Sequence, residues 1–294
     1  MIVTVTPNPS LDRTLVLAEP LRHGEVHRAG RARVEASGKG VNVTRVLRAR
    51  GVESVAVLPS GGSVGAELVA LLTVPHVVVP IEGQVRSNIS LLDPTGATKI
   101  NEPGPELTAS ELKVLVDATI AEVRSRKAHW LAICGSLPPN SGPELVKALV
   151  ASAGELRVPV AVDSSGPGLR AAVEAGADLI APNDAELAEL TGSPVQAPED
   201  VLAATRELGV NALVSLGARG AILAPVRGPA LHAEPPVITV VNPAGAGDAL
   251  LSGWLATGDL AAAVAWGTDA CLVEGTADVP AHGVPVEDVR LRRI

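Results

Sequence analysis

Strands and helices alternate most clearly in residues 130–181, which read WLAICGSLPPNSGPELVKALVASAGELRVPVAVDSSGPGLRAAVEAGADLIA. The apolar runs at 130–134 and 158–162 predict strands, because each is short and bounded by polar or turn-forming residues. The segments 142–153 and 167–175 have the spacing of helices, and a further apolar run follows at 179–181. Apolar strands that alternate with helices are typical of a parallel sheet covered on both faces. This stretch therefore predicts an α/β fold.

The same alternation extends in both directions along the chain. Further strands are predicted at 2–6, 54–58 and 212–216, a hairpin at 220–240, and helices from residue 40, at 66–72, 109–126, 184–191, 199–208, 246–256, 259–273 and 286–292. Two runs, 10–35 and 85–102, break the pattern, and the second carries a hairpin turn at 93–96. We expect these two runs to form a small β-lid on a single domain that spans residues 1–294.

Composition and charge exclude several classes of protein. Hydrophobic residues make up 47% of the 294 residues, so a large core is available, although Phe and Tyr are absent. The formal net charge is −8 and no basic block occurs, so neither nucleic acid nor an anionic membrane is expected as a partner. No apolar run reaches 18 residues and no signal peptide is recognisable. With only Cys134 and Cys271 as cysteines, we expect a cytoplasmic protein.

The segment around residues 245–248 carries the strongest chemical signal. Gly245, Ala246 and Gly247 form a turn of small residues at the start of a predicted helix, where backbone N–H groups and the helix dipole can hold an anion. Asp248 follows at once, and its carboxylate could accept a proton from a hydroxyl that attacks a phosphoryl group. An ordinary helix N-terminus with an acidic residue in its first turn is the alternative interpretation.

This turn resembles the C-terminal signature of the ribokinase-like (PfkB) family of sugar kinases. Further segments resemble that family in the expected order, at 8–12, 37–43, 134–139, 163–165, 182–187 and 215–220. The first of them, Asn-Pro-Ser-Leu-Asp, is similar to the opening of the phosphofructokinase branch. The resemblance implies a ribokinase-like three-layer α/β/α fold, with a mostly parallel central sheet and a small β-sheet lid. It also implies a homodimer formed through the lid.

The resemblance implies sugar-binding roles for residues near the N-terminus. Asp12 would accept hydrogen bonds from sugar hydroxyls, although an Asx turn explains it equally well. Gly38 and Gly40 would allow the backbone to approach the sugar, and Asn42 would hydrogen-bond to it. Lys39 would meet a phosphate already carried by the sugar. Without the resemblance, Lys39 would be an ordinary solvated charge.

Four further residues are candidates for the same acceptor site. Arg86 and Asn88 lie two apart on a predicted lid strand and therefore share one face, which could present a guanidinium to the sugar phosphate. Arg28, on the other lid segment, is a weaker candidate. Ser136, in the segment 134–139, is also expected to bind the substrate. An exposed, charged lid strand is the alternative interpretation for Arg86 and Arg28.

Asn183 and Glu186 lie three apart at the start of a predicted helix. In the family this pair orders Mg²⁺ and its waters near the nucleotide phosphates, while a simple capping box would have the same spacing. Three small residues are expected to line the ATP pocket: Ser215, Gly217 and Gly220. One departure from the family is Ala181, because a Lys is common at this position in phosphofructokinases.

The resemblance therefore implies ATP-dependent phosphorylation of fructose 1-phosphate to fructose 1,6-bisphosphate, with Asp248 as the base and Mg²⁺ as the metal. Lys39 and the segment 101–105 favour the 1-phosphate, but tagatose 6-phosphate and fructose 6-phosphate remain alternatives. A serine hydrolase is a different possibility, because residues 61–65 match G-x-S-x-G with Ser63 at its centre. Asp163 or Asp178, together with His232 or His282, could complete a triad. A protein that senses a sugar phosphate without catalytic activity is a further alternative.

Overall fold

The computed structural model describes residues 1–294 and contains two β-sheets and nine α-helices. The strands are β1 (Ile2–Val5), β2 (Ser10–Val16), β3 (Arg31–Ser37), β4 (Ser54–Ser60), β5 (His76–Pro80), β6 (Arg86–Asp93), β7 (Gly96–Asn101), β8 (Trp130–Cys134), β9 (Val160–Asp163), β10 (Leu179–Ile180), β11 (Asn211–Ser215), β12 (Ala221–Ala224), β13 (Leu231–Glu234) and β14 (Arg290–Arg293). The helices are α1 (Lys39–Ala49), α2 (Gly62–Leu71), α3 (Ala109–Ser125), α4 (Gly142–Glu155), α5 (Pro167–Ala175), α6 (Asp184–Thr191), α7 (Pro198–Leu208), α8 (Ala246–Thr257) and α9 (Leu260–Ala270).

The central sheet has ten strands in the order β14-β13-β12-β11-β10-β9-β8-β1-β4-β5. From β5 to β11 all neighbouring strands are parallel, and the three strands beyond β11 are antiparallel. The chain reverses its direction of travel across the sheet at β1, which lies between β4 and β8. In open α/β sheets, ligands bind beyond the carboxyl ends of the strands near such a reversal. This topology therefore places a binding crevice at the ends of β1 and β8.

Alternate residues of the parallel strands point into two separate cores. Val3 and Leu131 belong to a cluster that also contains side chains of α3, α4, α5, α6 and α7, whereas Ile2 and Ala132 belong to a cluster with α1, α8 and α9. Both clusters consist mainly of Val, Leu, Ile and Ala, as the lack of Phe and Tyr requires. The predicted α/β/α arrangement with helices on both faces of a mainly parallel sheet is confirmed.

Helices α8 and α9 pack closely because small residues meet at their crossing. A side chain added at Gly253 would lie 2.6 Å from Cα of Ala263. Trp266, on α9, is half-buried, and the guanidinium of Arg50 lies 5.2 Å from the centre of its ring. Arg50 also pairs with the buried carboxylate of Asp269. These contacts join the end of α1 to the C-terminal helices.

The second sheet contains the two lid segments in the order β3-β2-β6-β7. Strands β2 and β6 are parallel, so that Asp12 lies directly beside Asn88. Leu11 and Ala36 pack on Val41 and Leu58 of the main body, whereas all residues of β7 are exposed. The smaller sheet that the sequence predicts is therefore present and rests on α1, α2 and β4 through one apolar face.

Two sequence-based expectations for secondary structure are wrong. The helix predicted at 286–292 is a short 3-10 turn at Val286–Asp288 followed by β14, which pairs with β13 at the sheet edge. An edge strand gains its hydrogen bonds from a distant partner, which local periodicity cannot reveal. Strand β5 was not predicted, and it pairs with β4.

Among the helices, none combines the length and the apolar character needed to cross a membrane.

Candidate active site

The glycine turn at 245–247 has the backbone geometry of an anion-binding helix start. Gly245 has φ 82°, and a Cβ there would lie 2.5 Å from N of Ala277, so only glycine fits. A Cβ at Gly247 would meet nothing within 4 Å, which shows that this side of the turn is open. The first helical bond runs from N of Ala249 to O of Gly245. N of Ala246 donates to O of Pro243 at 3.3 Å, so the amides of Gly247 and Asp248 are the ones left without a backbone partner at the start of α8.

Asp248 is the buried carboxylate of this turn, with 5% of its surface exposed. Its Oδ2 accepts a hydrogen bond of 2.8 Å from Nδ2 of Asn42. Burial and the negative charge of Asp163 raise the pKa of Asp248 to about 7, while Lys39, Asn42 and Arg45 oppose that rise. A carboxylate with a pKa near neutrality is a stronger base than an ordinary aspartate, which suits proton abstraction from a hydroxyl.

Lys39 is the first residue of α1 and forms an ion pair with Asp163 at the end of β9. The distance from Nζ to Oδ1 is 2.7 Å, and Asp163 is almost fully buried. Burial alone would lower the pKa of Lys39, but the carboxylates of Asp163 and Asp248 raise it well above its usual value. Lys39 is therefore a permanent positive charge beside the candidate base.

A cavity of about 270 Å³ joins these groups. Its lining residues are Lys39, Asp163, Ala181, Asn183, Glu186, Leu213, Ser215, Gly245, Gly247, Asp248, Leu250 and Leu251. Seven of the sequence-predicted site residues thus line one cavity at the carboxyl ends of β9, β10 and β11. Two others, Gly217 and Gly220, lie just outside it, in the turn that follows β11.

Asp163 was not among the predicted site residues of a kinase. Its carboxylate nevertheless lines the cavity, pairs with Lys39 and raises the pKa of Asp248. The signal that could have found it is its position, since it ends a fully buried strand at the ligand-binding edge of the sheet. Its partner Lys39 lies 124 residues away in sequence, and no local pattern links the two.

Asn183 and Glu186 form a complete capping box at the start of α6. Oδ1 of Asn183 accepts from N of Glu186 at 2.8 Å, and Oε2 of Glu186 accepts from N of Asn183 at 2.9 Å. Burial raises the pKa of Glu186, although the bond from Asn183 and the charge of Lys39 act against it. The capping interpretation is therefore correct for both side chains. It leaves Oε1 of Glu186 free toward the cavity.

The donor set at this position fits Mg²⁺ only if the ion keeps most of its waters or binds phosphate. No group of three or more His, Cys, Asp or Glu side chains is placed to hold a metal. Glu186 offers one free carboxylate oxygen, and Asp163 has one oxygen not taken by Lys39. Mg²⁺ is commonly bound by one or two carboxylates together with waters and substrate phosphates, which agrees with this arrangement.

Asp12 lies at the junction of the lid and the main sheet. Its Oδ1 accepts from Oγ of Ser10 at 2.7 Å and from Nδ2 of Asn88 at 3.0 Å. Its Oδ2 has no hydrogen-bond partner in the protein, and the residue is half-buried. One carboxylate oxygen is thus fixed by the lid while the other is free for a hydroxyl.

Arg86 is held by three segments of the chain. Its Nη2 donates to O of Asn8 at 3.0 Å and to Oγ of Ser136 at 2.7 Å, and its Nη1 donates to O of Glu102 at 3.1 Å. Asn8 is buried, and its Nδ2 donates to O of Pro103 and O of Leu137. The structure therefore brings the predicted residues Arg86 and Ser136 together at the crevice beside β1 and β8.

The two cations assigned to one sugar phosphate belong to different networks. Lys39 bonds to Asp163, and Arg86 bonds to Asn8, Ser136 and Glu102, with no residue in common. Gly135, which packs against the side chain of Lys39, directly precedes Ser136, the partner of Arg86. Whether the two cations share one anion stays a prediction. Arg28, the weaker candidate, lies exposed in the loop between β2 and β3. It forms no ion pair or side-chain hydrogen bond.

Gly38 and Gly40 lie where α1 packs against β1. A Cβ on Gly40 would approach Oγ1 of Thr6 to 2.6 Å and O of Val5 to 2.8 Å. A Cβ on Gly38 would collide with Cγ2 of Thr6. Close packing of the helix on the strand therefore explains both glycines, and this packing brings Asn42 within reach of Asp248.

The serine hydrolase hypothesis is wrong. Ser63 is exposed on α2, and its hydroxyl bonds only to Oε1 of Gln84 at 3.4 Å, which is no base. Of the two candidate histidines, His232 bonds to O of Arg219 and to Arg292, and His282 forms no hydrogen bond to a side chain. No nucleophile–base pair is formed, so the geometry of a triad is absent.

Comparison with known proteins agrees with this geometry. Residues 6–273 match the model of the pfkB family carbohydrate kinases. The chain is 36% identical to a 1-phosphofructokinase of Rhodobacter capsulatus, over 86% of this chain and 82% of that protein. It is 33% identical to the ATP-dependent 6-phosphofructokinase isozyme 2 of Mycobacterium tuberculosis, over 85% and 76%.

Solved structures give the same result. A crystal structure of phosphofructokinase-2 from Escherichia coli in complex with potassium superimposes with a TM-score of 0.84 and 28% identity, over 94% of each chain. The similarity extends over nearly the whole length in fold and in sequence. The chain therefore belongs to the pfkB family of carbohydrate kinases.

Proposed function

We propose that the protein transfers a phosphoryl group from ATP to fructose 1-phosphate and forms fructose 1,6-bisphosphate. The observation that carries the proposal is the cavity in which Asp248, the glycine turn and Lys39 meet. A buried base beside free amides and a fixed cation provides what phosphoryl transfer needs. The name 1-phosphofructokinase, borne by relatives at 36% identity, favours the 1-phosphate over other acceptors.

Asp248 acts as the base in this proposal. Its Oδ2 is held by Asn42, so its Oδ1 receives the proton of the acceptor hydroxyl. The hydroxyl oxygen bonds to the γ-phosphorus of ATP while the bond from that phosphorus to the oxygen of ADP breaks, and ADP leaves. The amides of the turn that have no protein partner face the charge that develops on the phosphoryl oxygens. Mg²⁺, held near Glu186 and the nucleotide phosphates, would neutralise further negative charge.

The acceptor end is formed by the lid junction. Asp12, fixed by Ser10 and Asn88, accepts a hydrogen bond from a sugar hydroxyl through its free oxygen. Arg86 and Ser136 present a guanidinium and a hydroxyl to the phosphate already on the sugar. Asp12 and Arg86 on the lid, together with Ser136 on the main body, would therefore define the position of the sugar.

Lys39 receives a different role from the one that the sequence suggests. Its ammonium group lies in the cavity with the glycine turn, close to Asp163, Asp248 and Glu186. We assign it to the phosphoryl group in transfer, where a fixed positive charge offsets the charge of the transition state. The phosphate on the sugar is then bound by Arg86 alone among the cations.

A panel of phosphorylated ketohexoses tests the proposal. ADP release is measured with fructose 1-phosphate, fructose 6-phosphate and tagatose 6-phosphate, each with and without Mg²⁺. We expect kcat/KM to be highest for fructose 1-phosphate and activity to require Mg²⁺. A clear preference for either 6-phosphate would contradict the substrate assignment. Binding of sugar phosphate without any ADP release would support the sensor alternative instead.

A further inference from the structure

Arg45 lies on α1 three residues after Asn42, and therefore on the same face of the helix. Its Nη1 donates to Oδ1 of Asn42 at 3.1 Å, and Nδ2 of the same amide donates to Oδ2 of Asp248 at 2.8 Å. We propose that Arg45 is a positioning residue that fixes the side-chain amide of Asn42 and, through it, the carboxylate of Asp248. The proposal rests on the function proposed for Asp248.

The chemistry of the three groups allows only one orientation of the Asn42 amide. A guanidinium only donates hydrogen bonds, and an ionised carboxylate only accepts them. The carbonyl of Asn42 must therefore face Arg45, and its NH₂ group must face Asp248. A flipped amide would place its NH₂ group against the guanidinium and its oxygen against the carboxylate. Without Arg45, only the hydrogen bond to Asp248 would oppose that flip.

Arg45 also contacts the segment that packs against the glycine turn. Its Nη1 donates to O of Thr276 at 3.1 Å. The next residue, Ala277, donates from its N to O of Ala244 at 3.2 Å and lies against Gly245. The same side chain thus contacts the helix that carries Asn42 and the segment that supports the anion-binding turn.

A third contact reaches the lid. Nη2 of Arg45 donates to O of Ala36, on β3, at 3.3 Å. The backbone of the lid, the base and the anion-binding turn are therefore linked through one guanidinium. Because Arg45 is half-buried and is not among the residues that line the cavity at Asp248, it acts through these neighbours and does not contact substrate.

The charge of Arg45 affects the protonation of Asp248 as well. Four groups act on Asp248: the carboxylate of Asp163 raises its pKa together with burial, whereas Lys39, Asn42 and Arg45 lower it. Loss of the Arg45 charge removes one opposing effect, so the pKa of Asp248 rises further. A larger fraction of the base is then protonated at neutral pH, and the loss of activity becomes smaller as the pH increases.

The test compares Arg45→Met, which removes the charge and the donors, with Arg45→Lys, which keeps the charge. Arg48→Met is the matched control, because Arg48 lies exposed on the same helix. For Arg45→Met we expect kcat at neutral pH to fall by about 10–100-fold, while KM for ATP and for the sugar phosphate change by less than about 3-fold. The acid limb of the kcat profile should move to higher pH. Arg45→Lys should recover part of the loss, and Arg48→Met should match the wild type.

A double-mutant cycle with Asn42→Ala separates positioning from a general loss of structure. If Arg45 acts through Asn42, Arg45→Met should add little to the effect of Asn42→Ala. Additive losses, an unchanged pH profile, or no recovery in Arg45→Lys would overturn the inference. The cycle does not depend on Arg45→Met being fully stable, because Arg45→Lys is compared in the same backgrounds. A wild type without kinase activity would instead refute the proposed function.

Discussion

The side chains of the cavity and those of the lid junction are held in place by different kinds of hydrogen-bond partner. In the cavity, the buried carboxylates of Asp163 and Asp248 are paired with the ammonium group of Lys39 and the amide of Asn42, respectively. At the lid junction, half-exposed side chains such as Arg86 bond largely to backbone carbonyls of neighbouring segments. The cavity is therefore preformed by the main sheet, whereas the acceptor site depends on where the lid lies. Mutations in the cavity should mainly change kcat, and mutations at the lid junction should mainly change KM for the sugar phosphate.

The largest effect is expected for Asp248→Asn, which keeps the shape of the side chain and removes the base. We expect kcat to fall by about 10²–10⁴-fold while binding of the sugar phosphate is largely kept. Steady-state kinetics together with sugar-phosphate binding by calorimetry measure both quantities. A variant with near-normal kcat would remove Asp248 from the mechanism.

Lys39→Met should come next. We expect kcat to fall by roughly 10–100-fold and KM for ATP to rise, because the lysine lies beside the glycine turn at the donor side. The thermal midpoint should fall as well, since the buried Asp163 loses its ion-pair partner. If KM for the sugar phosphate rises instead and KM for ATP does not, Lys39 binds the acceptor phosphate, as the family resemblance implies. The distinction between a cavity that controls kcat and a lid junction that controls KM for the sugar phosphate would then be wrong.

Arg86→Met should raise KM for the sugar phosphate by roughly 10–100-fold. A charge-assisted contact contributes about 1.5–3 kcal/mol, and 1.4 kcal/mol corresponds to a factor of ten. KM for ATP and kcat should change little. Free fructose, tested as an alternative acceptor, should be insensitive to the substitution, because it lacks the phosphate. Equal efficiency of the wild type with fructose and with its 1-phosphate would contradict the role of Arg86.

The smallest effect on catalysis is expected from a substitution in the exposed lid surface. Val16 and Leu92 lie side by side on one face of the lid and are exposed there, and a dimer through this face would cover them. We expect the wild type to be a dimer at micromolar concentration and Leu92→Lys to weaken that dimer by about 10-fold or more. Sedimentation equilibrium measures this, with Val114→Lys on α3 as the control. A wild type that sediments only as a monomer would refute the lid dimer.

The sequence predicted the features that depend on local patterns. All parallel strands except β5, the lid runs and the turn at 245–248 were found, because periodicity, turn residues and a contiguous motif lie within short windows. The environment of Lys39 could not be found in this way, since Asp163 is brought to it by the pairing of strands far apart in sequence. The same holds for β14, whose partner β13 lies about sixty residues upstream. No local pattern marks Arg45, because its partner Thr276 lies 231 residues away in sequence.

The close packing of α8 on α9 places a tryptophan near the glycine turn, where its fluorescence can report on ligand binding. Without tyrosine, all of its near-ultraviolet emission comes from Trp130, Trp254 and Trp266. Trp266 lies under the Arg50 guanidinium, and its neighbour Gly267 packs so close to α8 that an added Cβ would lie 3.1 Å from O of Ala246. The residue next to the fluorophore thus packs against Ala246 of the anion-binding turn. Fluorescence from the native chain, with no introduced label, should therefore register the arrival of a phosphate at that turn.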